Sequence, residues 1–126
     1  MNVIDSSGWL EYFTDGPNAD FFRSAIKNEA RLLVPSICLY EVFKIILMRA
    51  GEEEALHVIG LMSFGKIVDL DREIALAAGQ VSLQNKLAMA DAMIYATAQA
   101  NDATLWTQDE HFKDLPGVKY VERKSL

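Results

Sequence analysis

The chain has 126 residues, enough for one domain with one core, and its 51% apolar and 24% charged residues exclude a disordered or low-complexity polymer. A net charge of −6 excludes nucleic-acid recognition by a simple basic surface, because phosphate contacts need Lys and Arg. The acid therefore either faces a different kind of partner or is concentrated where a divalent cation offsets it.

Asn2 to Asp5 reads as a short strand, after which Ser6 or Ser7 can cap a helix running to about Phe13. Gly16-Pro17 breaks the chain, and a second helix follows to about Glu29. Leu32-Leu33-Val34, ended by Pro35, predicts a buried strand. Ser36 is placed to cap a helix to Ala50, with Gly51 suited to its C-terminal end. Glu52-Glu53-Glu54 opens another helix, its acids matching the positive end of the dipole. Ile67 to Leu70 predicts a third strand, and Asp71 caps a helix through about Asn85. An Ala-rich helix spans Met89 to Ala100, and strands follow at Thr104 to Thr107 and Val118 to Val121.

Short apolar strands alternating with helices predict an α/β fold: a three-layer α/β/α sandwich around a mostly parallel sheet, with residues 1–126 as one domain. The longest apolar stretch, Ile37 to Met48, carries Glu41 and Lys44 and is too short for a bilayer, so no membrane association is expected. Met1 to Asp5 has no basic segment of the secretory type, and the single Cys38 suits a reducing compartment; a cytoplasmic protein is expected.

In such folds ligands bind beyond the carboxyl ends of the strands, where strand order reverses. Asp5, Asp69, Thr107 and Asp109 are the polar residues placed at or near strand ends. Asp5 serves equally as a helix cap or as a ligand carboxylate, and one residue can do both. Glu41 lies in a helix that is apolar almost all round, which predicts burial and a need for a partner or cation; a surface pair with Lys44 is the alternative. Asp91 sits in the first turn of the Ala-rich helix, where it suits the dipole, while Ala90, Ala92 and Ala96 permit close approach to the sheet. Asp109 can cap a short helical turn. Four acids converging in a doubly wound fold repel one another unless a cation such as Mg²⁺ or Mn²⁺ intervenes. Carboxylates with a divalent ion, and no nucleophile–base arrangement, point to water attack on a phosphodiester.

Several stretches resemble the PIN-domain family, in particular the VapC-type toxins of toxin–antitoxin pairs. They are Val3-Ile4-Asp5-Ser6-Ser7, Pro35-Ser36 with Tyr40-Glu41, Leu87 to Ala98, and Thr104 to Asp109; in order and spacing they span nearly the whole chain. The resemblance implies a Mg²⁺- or Mn²⁺-dependent endoribonuclease acting on RNA, a homodimer, and inhibition by a cognate antitoxin. It places Asp5, Glu41, Asp91 and Asp109 as the catalytic and metal-binding acids, with Ser6 and Thr107 as hydrogen-bonding neighbours. Asp109 matches the family's least constant position, and Asp114 is its substitute.

Other residues read more plainly. His57 is expected to be structural or solvated, and His111 lies near the proposed site. Trp9, Tyr12, Phe13, Phe21 and Phe22 fall at helical spacing and suit the core or a groove for a partner helix. Lys86 and Lys113 are candidates for phosphate contact. Two rival readings remain. One is a Mg²⁺-binding, receiver-like phosphoacceptor domain, for which Asp69 would have to be the acceptor. The other is a non-catalytic module whose acids bind a partner's arginines.

Overall fold

The computed structural model describes residues 1–125. Five strands form one sheet: β1 (Asn2–Ile4), β2 (Leu32–Pro35), β3 (Lys66–Val68), β4 (Thr104–Thr107) and β5 (Val118–Tyr120). Their order is β3-β2-β1-β4-β5 and every pairing is parallel. Six helices alternate with them: α1 (Ser6–Phe13), α2 (Ala19–Lys27), α3 (Ser36–Ala50), α4 (Glu52–Met62), α5 (Arg72–Asn85) and α6 (Met89–Ala100). The result is the expected three-layer α/β/α sandwich, with the sheet wholly parallel.

The order has one functional consequence. The chain steps from central β1 outward to β2 and β3, then returns to β4 on the other side of β1. Strand order thus reverses between β1 and β4, where a crevice forms at the carboxyl ends. Ile4 pairs with Trp106, and the Asp5 N–H donates to the Trp106 carbonyl at 3.2 Å. That register sets Asp5 beside Thr107. The core beneath is apolar and closed: Val3, Ile4, Val34 and Leu105 on the strands, and Trp9, Phe22, Val42 and Ile94 on the helices, are each 1% exposed or less.

Two close approaches fix the first βα unit. A Cβ on Gly8 would lie 2.7 Å from both Ile4 and Phe22 side chains, so only glycine lets α1 settle against β1 and α2. Asp5 is extended (ψ 170°) and caps α1 by accepting from the Gly8 N–H. Farther along, Gly51 at φ 91° ends α3 and starts α4 at once.

The structure differs from expectation in five places, the first being that Asp5, and neither Ser6 nor Ser7, caps α1. The second helix stops at Lys27, and a 3-10 turn, Glu29–Arg31, leads into β2. Ser36 is the first residue of α3 and not its cap; its hydroxyl instead accepts from the Leu70 N–H at 3.2 Å. β3 ends at Val68, so Asp69 is exposed beyond an edge strand with β2 between it and β1. α3 is not buried all round: Cys38, Val42 and Ile46 form its buried stripe, while Tyr40 is 57% and Met48 75% exposed. A helix at the outside of three layers has only one covered face, and apolar composition alone does not supply a second. No helix among the described residues is long and apolar enough to cross a membrane.

Candidate active site

Asp5 is the most enclosed carboxylate of the crevice, 3% exposed. Its Oδ1 accepts from the Gly8 N–H (2.9 Å), its Oδ2 from the Thr107 hydroxyl (2.6 Å), and the Ser7 hydroxyl lies 3.0 and 2.9 Å from the two oxygens. Burial pushes its carboxyl up to about 6 against the opposing pull of these donors, and the Asp109 charge adds to the rise. Thr107, fully buried, is the stitch between strands: it donates to Asp5 and accepts from the Asp109 N–H at 2.9 Å.

Glu41 reaches the same crevice from α3, half-buried, with Oε1 accepting from the Ser6 hydroxyl at 2.6 Å. That bond ties the start of α1 to α3. Lys44 turns away to the Tyr40 hydroxyl and ring, so among the described residues Glu41 has no ion pair with it. Asp91, half-buried in the first turn of α6, is pushed up to about 6 by burial and then by the Asp109 and Glu41 carboxylates; His111 opposes the rise. Asp109 caps the 3-10 turn Glu110–Phe112 through the His111 N–H at 3.0 Å. Beneath them the Cys38 thiol is fully buried, donates to the Ile4 carbonyl at 3.7 Å, and has its ionisation suppressed by burial and by Asp5, Glu41 and Asp91.

The four acids singled out from sequence therefore border one crevice, drawn from the ends of β1 and β4, the second turn of α3 and the first turn of α6. Of the two candidates for the fourth acid, Asp109 lies among the others, its charge bearing on both Asp5 and Asp91, while Asp114 is exposed and bears on neither. Asp69 takes no part. Ser7 is a site residue that sequence reasoning passed over, although a hydroxyl two residues beyond a capping Asp is a common local partner. Asn18 is another: buried, it donates to the Gln108 side chain and the Glu122 carbonyl, each at 3.0 Å, and so pins the segment after β4. A cleft of about 360 Å³ opens beside Asp109 and His111, lined also by Gln108, Tyr120 and Arg123. Lys113 lies 5.8 Å from the Tyr120 ring, and Lys86 is exposed in the left-handed turn (φ 55°) ahead of α6.

The donor set fits a hard divalent cation. It is dominated by carboxylate oxygens, and two of the acids resist ionisation partly because of their neighbours' charge, which a cation would relieve. Ligand atoms of Asp91, Asp109 and His111 all lie within 4.8 Å of one another. Asp5 and Glu41 fall outside that spacing, with Asp5 committed to its own hydrogen bonds.

A parallel sheet in this order with acids gathered at its switch point is the arrangement of PIN domains. The PIN domain family model matches residues 3–118, and the chain belongs to that family. Among solved structures, it is similar to a toxin–antitoxin complex from Klebsiella pneumoniae at 23% identity and TM-score 0.77, covering 94% of this chain and 96% of that one. It is similar to VapBC2 of Rickettsia felis bound to a promoter DNA fragment at 18% identity and TM-score 0.74, over 96% and 97%. It is likewise similar to a sarcin-ricin loop cleaving toxin of Mycobacterium tuberculosis at 13% identity and TM-score 0.76, over 94% and 97%. No curated protein matches the chain. The receiver-like alternative is overturned by topology: receivers place strands in the order 2-1-3-4-5, whereas here β1 separates β2 from β4.

Proposed function

We propose that the chain is a Mg²⁺- or Mn²⁺-dependent endoribonuclease and the toxin of a VapBC-type pair, active in the cytoplasm and restrained by a cognate antitoxin. The observation that carries this reading is the convergence of Asp5, Glu41, Asp91 and Asp109 at the β1/β4 switch point of a PIN fold. When bound, the divalent ion supplies charge stabilisation to the scissile phosphodiester and acidifies water. Asp91 and Asp109 would hold the ion. Glu41, oriented by Ser6, and Asp5, fixed by Gly8, Ser7 and Thr107, complete the negative wall that positions it and the attacking water. Tyr120 and Arg123 in the adjoining cleft suit the base and phosphate of a neighbouring nucleotide.

The partner reading has its own support. Leu39, Tyr40, Phe43, Leu56 and Ile59 line an apolar groove between α3 and α4, with Tyr40 57% and Leu56 55% exposed. Such a groove suits the apolar face of an antitoxin helix or a second copy of this chain. Solved relatives of this fold are toxin–antitoxin complexes.

Incubation of purified protein with total cellular RNA tests the activity. Discrete cleavage is expected in Mn²⁺ or Mg²⁺, none in EDTA, and a loss of about a hundredfold or more in Asp91→Asn, which exchanges a charged ligand for a neutral one. A folded protein that neither binds Mn²⁺ nor cuts RNA would favour the non-catalytic module instead.

A further inference from the structure

We propose that His111 is itself a metal ligand, and that the Asp91–Asp109–His111 face makes the site prefer Mn²⁺ to Mg²⁺. The inference rests on the metal-dependent reading above and extends it to the identity of the ion.

His111 sits on the 3-10 turn that follows β4, and the turn is held on three sides. Asp109 caps it, the Phe112 N–H donates to the Asp109 carbonyl at 3.1 Å, and the Phe112 ring is fully buried beneath. The backbone of His111 is therefore fixed even though its side chain is 69% exposed. An exposed imidazole has several rotamers open to it. This one turns back over the site, with Nδ1 3.0 Å from Asp109 Oδ1 and a ligand nitrogen within 4.8 Å of oxygens on both Asp109 and Asp91. One nitrogen and two carboxylate oxygens at that spacing can close on a single ion with small side-chain rotations.

The donor chemistry then discriminates. Mg²⁺ demands oxygen donors in near-ideal octahedral geometry and keeps its waters. Imidazole adds little for Mg²⁺; Mn²⁺ also favours oxygen donors, but as a first-row transition metal it gains more than Mg²⁺ from one added nitrogen. An all-carboxylate site would leave the two ions closer in affinity. The competing account is that the His111–Asp109 contact is only an exposed ion pair, worth little and irrelevant to the ion.

Electron-spin-echo spectroscopy of the full chain with substoichiometric Mn²⁺ separates these. Nitrogen hyperfine modulation from a directly bound imidazole is expected in wild type and in His57→Ala, and its loss is expected in His111→Ala. Titration calorimetry should show His111→Ala weakening Mn²⁺ binding by about tenfold or more, and Mg²⁺ binding by less than about threefold. The variant's melting temperature in EDTA should stay within about 2 °C of wild type, as for a surface change, so that loss of affinity is not loss of fold. Mn²⁺ bound without nitrogen modulation in wild type overturns the ligand role and leaves the metal-dependent reading standing. An equal loss of Mn²⁺ and Mg²⁺ affinity overturns the selectivity. A wild-type protein that binds neither ion overturns both the inference and the reading on which it rests.

Discussion

At the scale of single residues, Asp5 carries the conflict that defines the site. It is buried, capped and hydrogen-bonded, yet its carboxyl titrates near 6 in place of 3.8. In the metal-free protein it therefore takes up a proton more readily folded than unfolded. Stability from this group is undiminished below about pH 3.8, falls as pH rises toward 6, and stays lowered above that by roughly 3 kcal/mol. Asp91 shifts in the same direction. In EDTA the protein should thus melt higher near pH 5 than near pH 7.5, and Asp5→Asn should flatten that dependence while melting at or above wild type at the higher pH; an unchanged slope refutes it. Thr107→Val keeps the shape but removes both the donor to Asp5 and the acceptor for the Asp109 N–H. It should cost about 1–3 kcal/mol in denaturant unfolding and lower cleavage by misplacing Asp109. That Asp5, Glu41, Asp91 and Asp109 would come together was legible only jointly, from strand ends, an apolar helix and flanking stretches resembling one family, since each acid alone reads as well as a cap or a surface charge. Ser7 and Asn18 were not legible, since nothing in a Ser or Asn beside a turn distinguishes a site partner from an ordinary cap.

At the scale of elements, the βα alternation was legible because strand and helix differ in apolar period and because Asp71, Gly51 and Pro35 punctuate the chain. What composition could not supply was which face of a helix is covered. α3 illustrates this: its apolar residues exceed its buried stripe, and the surplus lines the groove against α4. Strand order was equally hidden, because alternation alone is compatible with several orders; β1 beside β4 is a long-range pairing that no local signal encodes. The first βα turn is the tightest joint. Gly8→Ala would press a methyl against Ile4 and Phe22, so it should cost about 1–3 kcal/mol and disturb the Asp5 cap, lowering activity together with stability. A neutral effect of Gly8→Ala on both would show that α1 is free to shift away from β1.

At the scale of the whole molecule, the fold gathers acid at its switch point, and ion binding should register as global stability. Binding to the folded form alone adds ~2.7 kcal/mol at free metal one hundred times the dissociation constant, or on the order of 10 °C at about 4 °C per kcal/mol. Wild type should melt that much higher in saturating Mn²⁺ than in EDTA, and Asp91→Asn should gain far less; an identical gain in both would remove Asp91 from the site. The same sheet order bears on the chain while it is being made. Synthesis delivers Asp5 and Glu41 early, but the neighbour that flanks β1 on its other side, and with it Thr107 and Asp109, follows only after β2, β3 and all six helices. A chain stalled or cleaved before Thr107 lacks one border of β1, the donor that seats Asp5, and the fourth acid. Chains that stop short of Thr107 should therefore fail to assemble the crevice and to cleave RNA, which a truncation before β4 tested against total RNA would check.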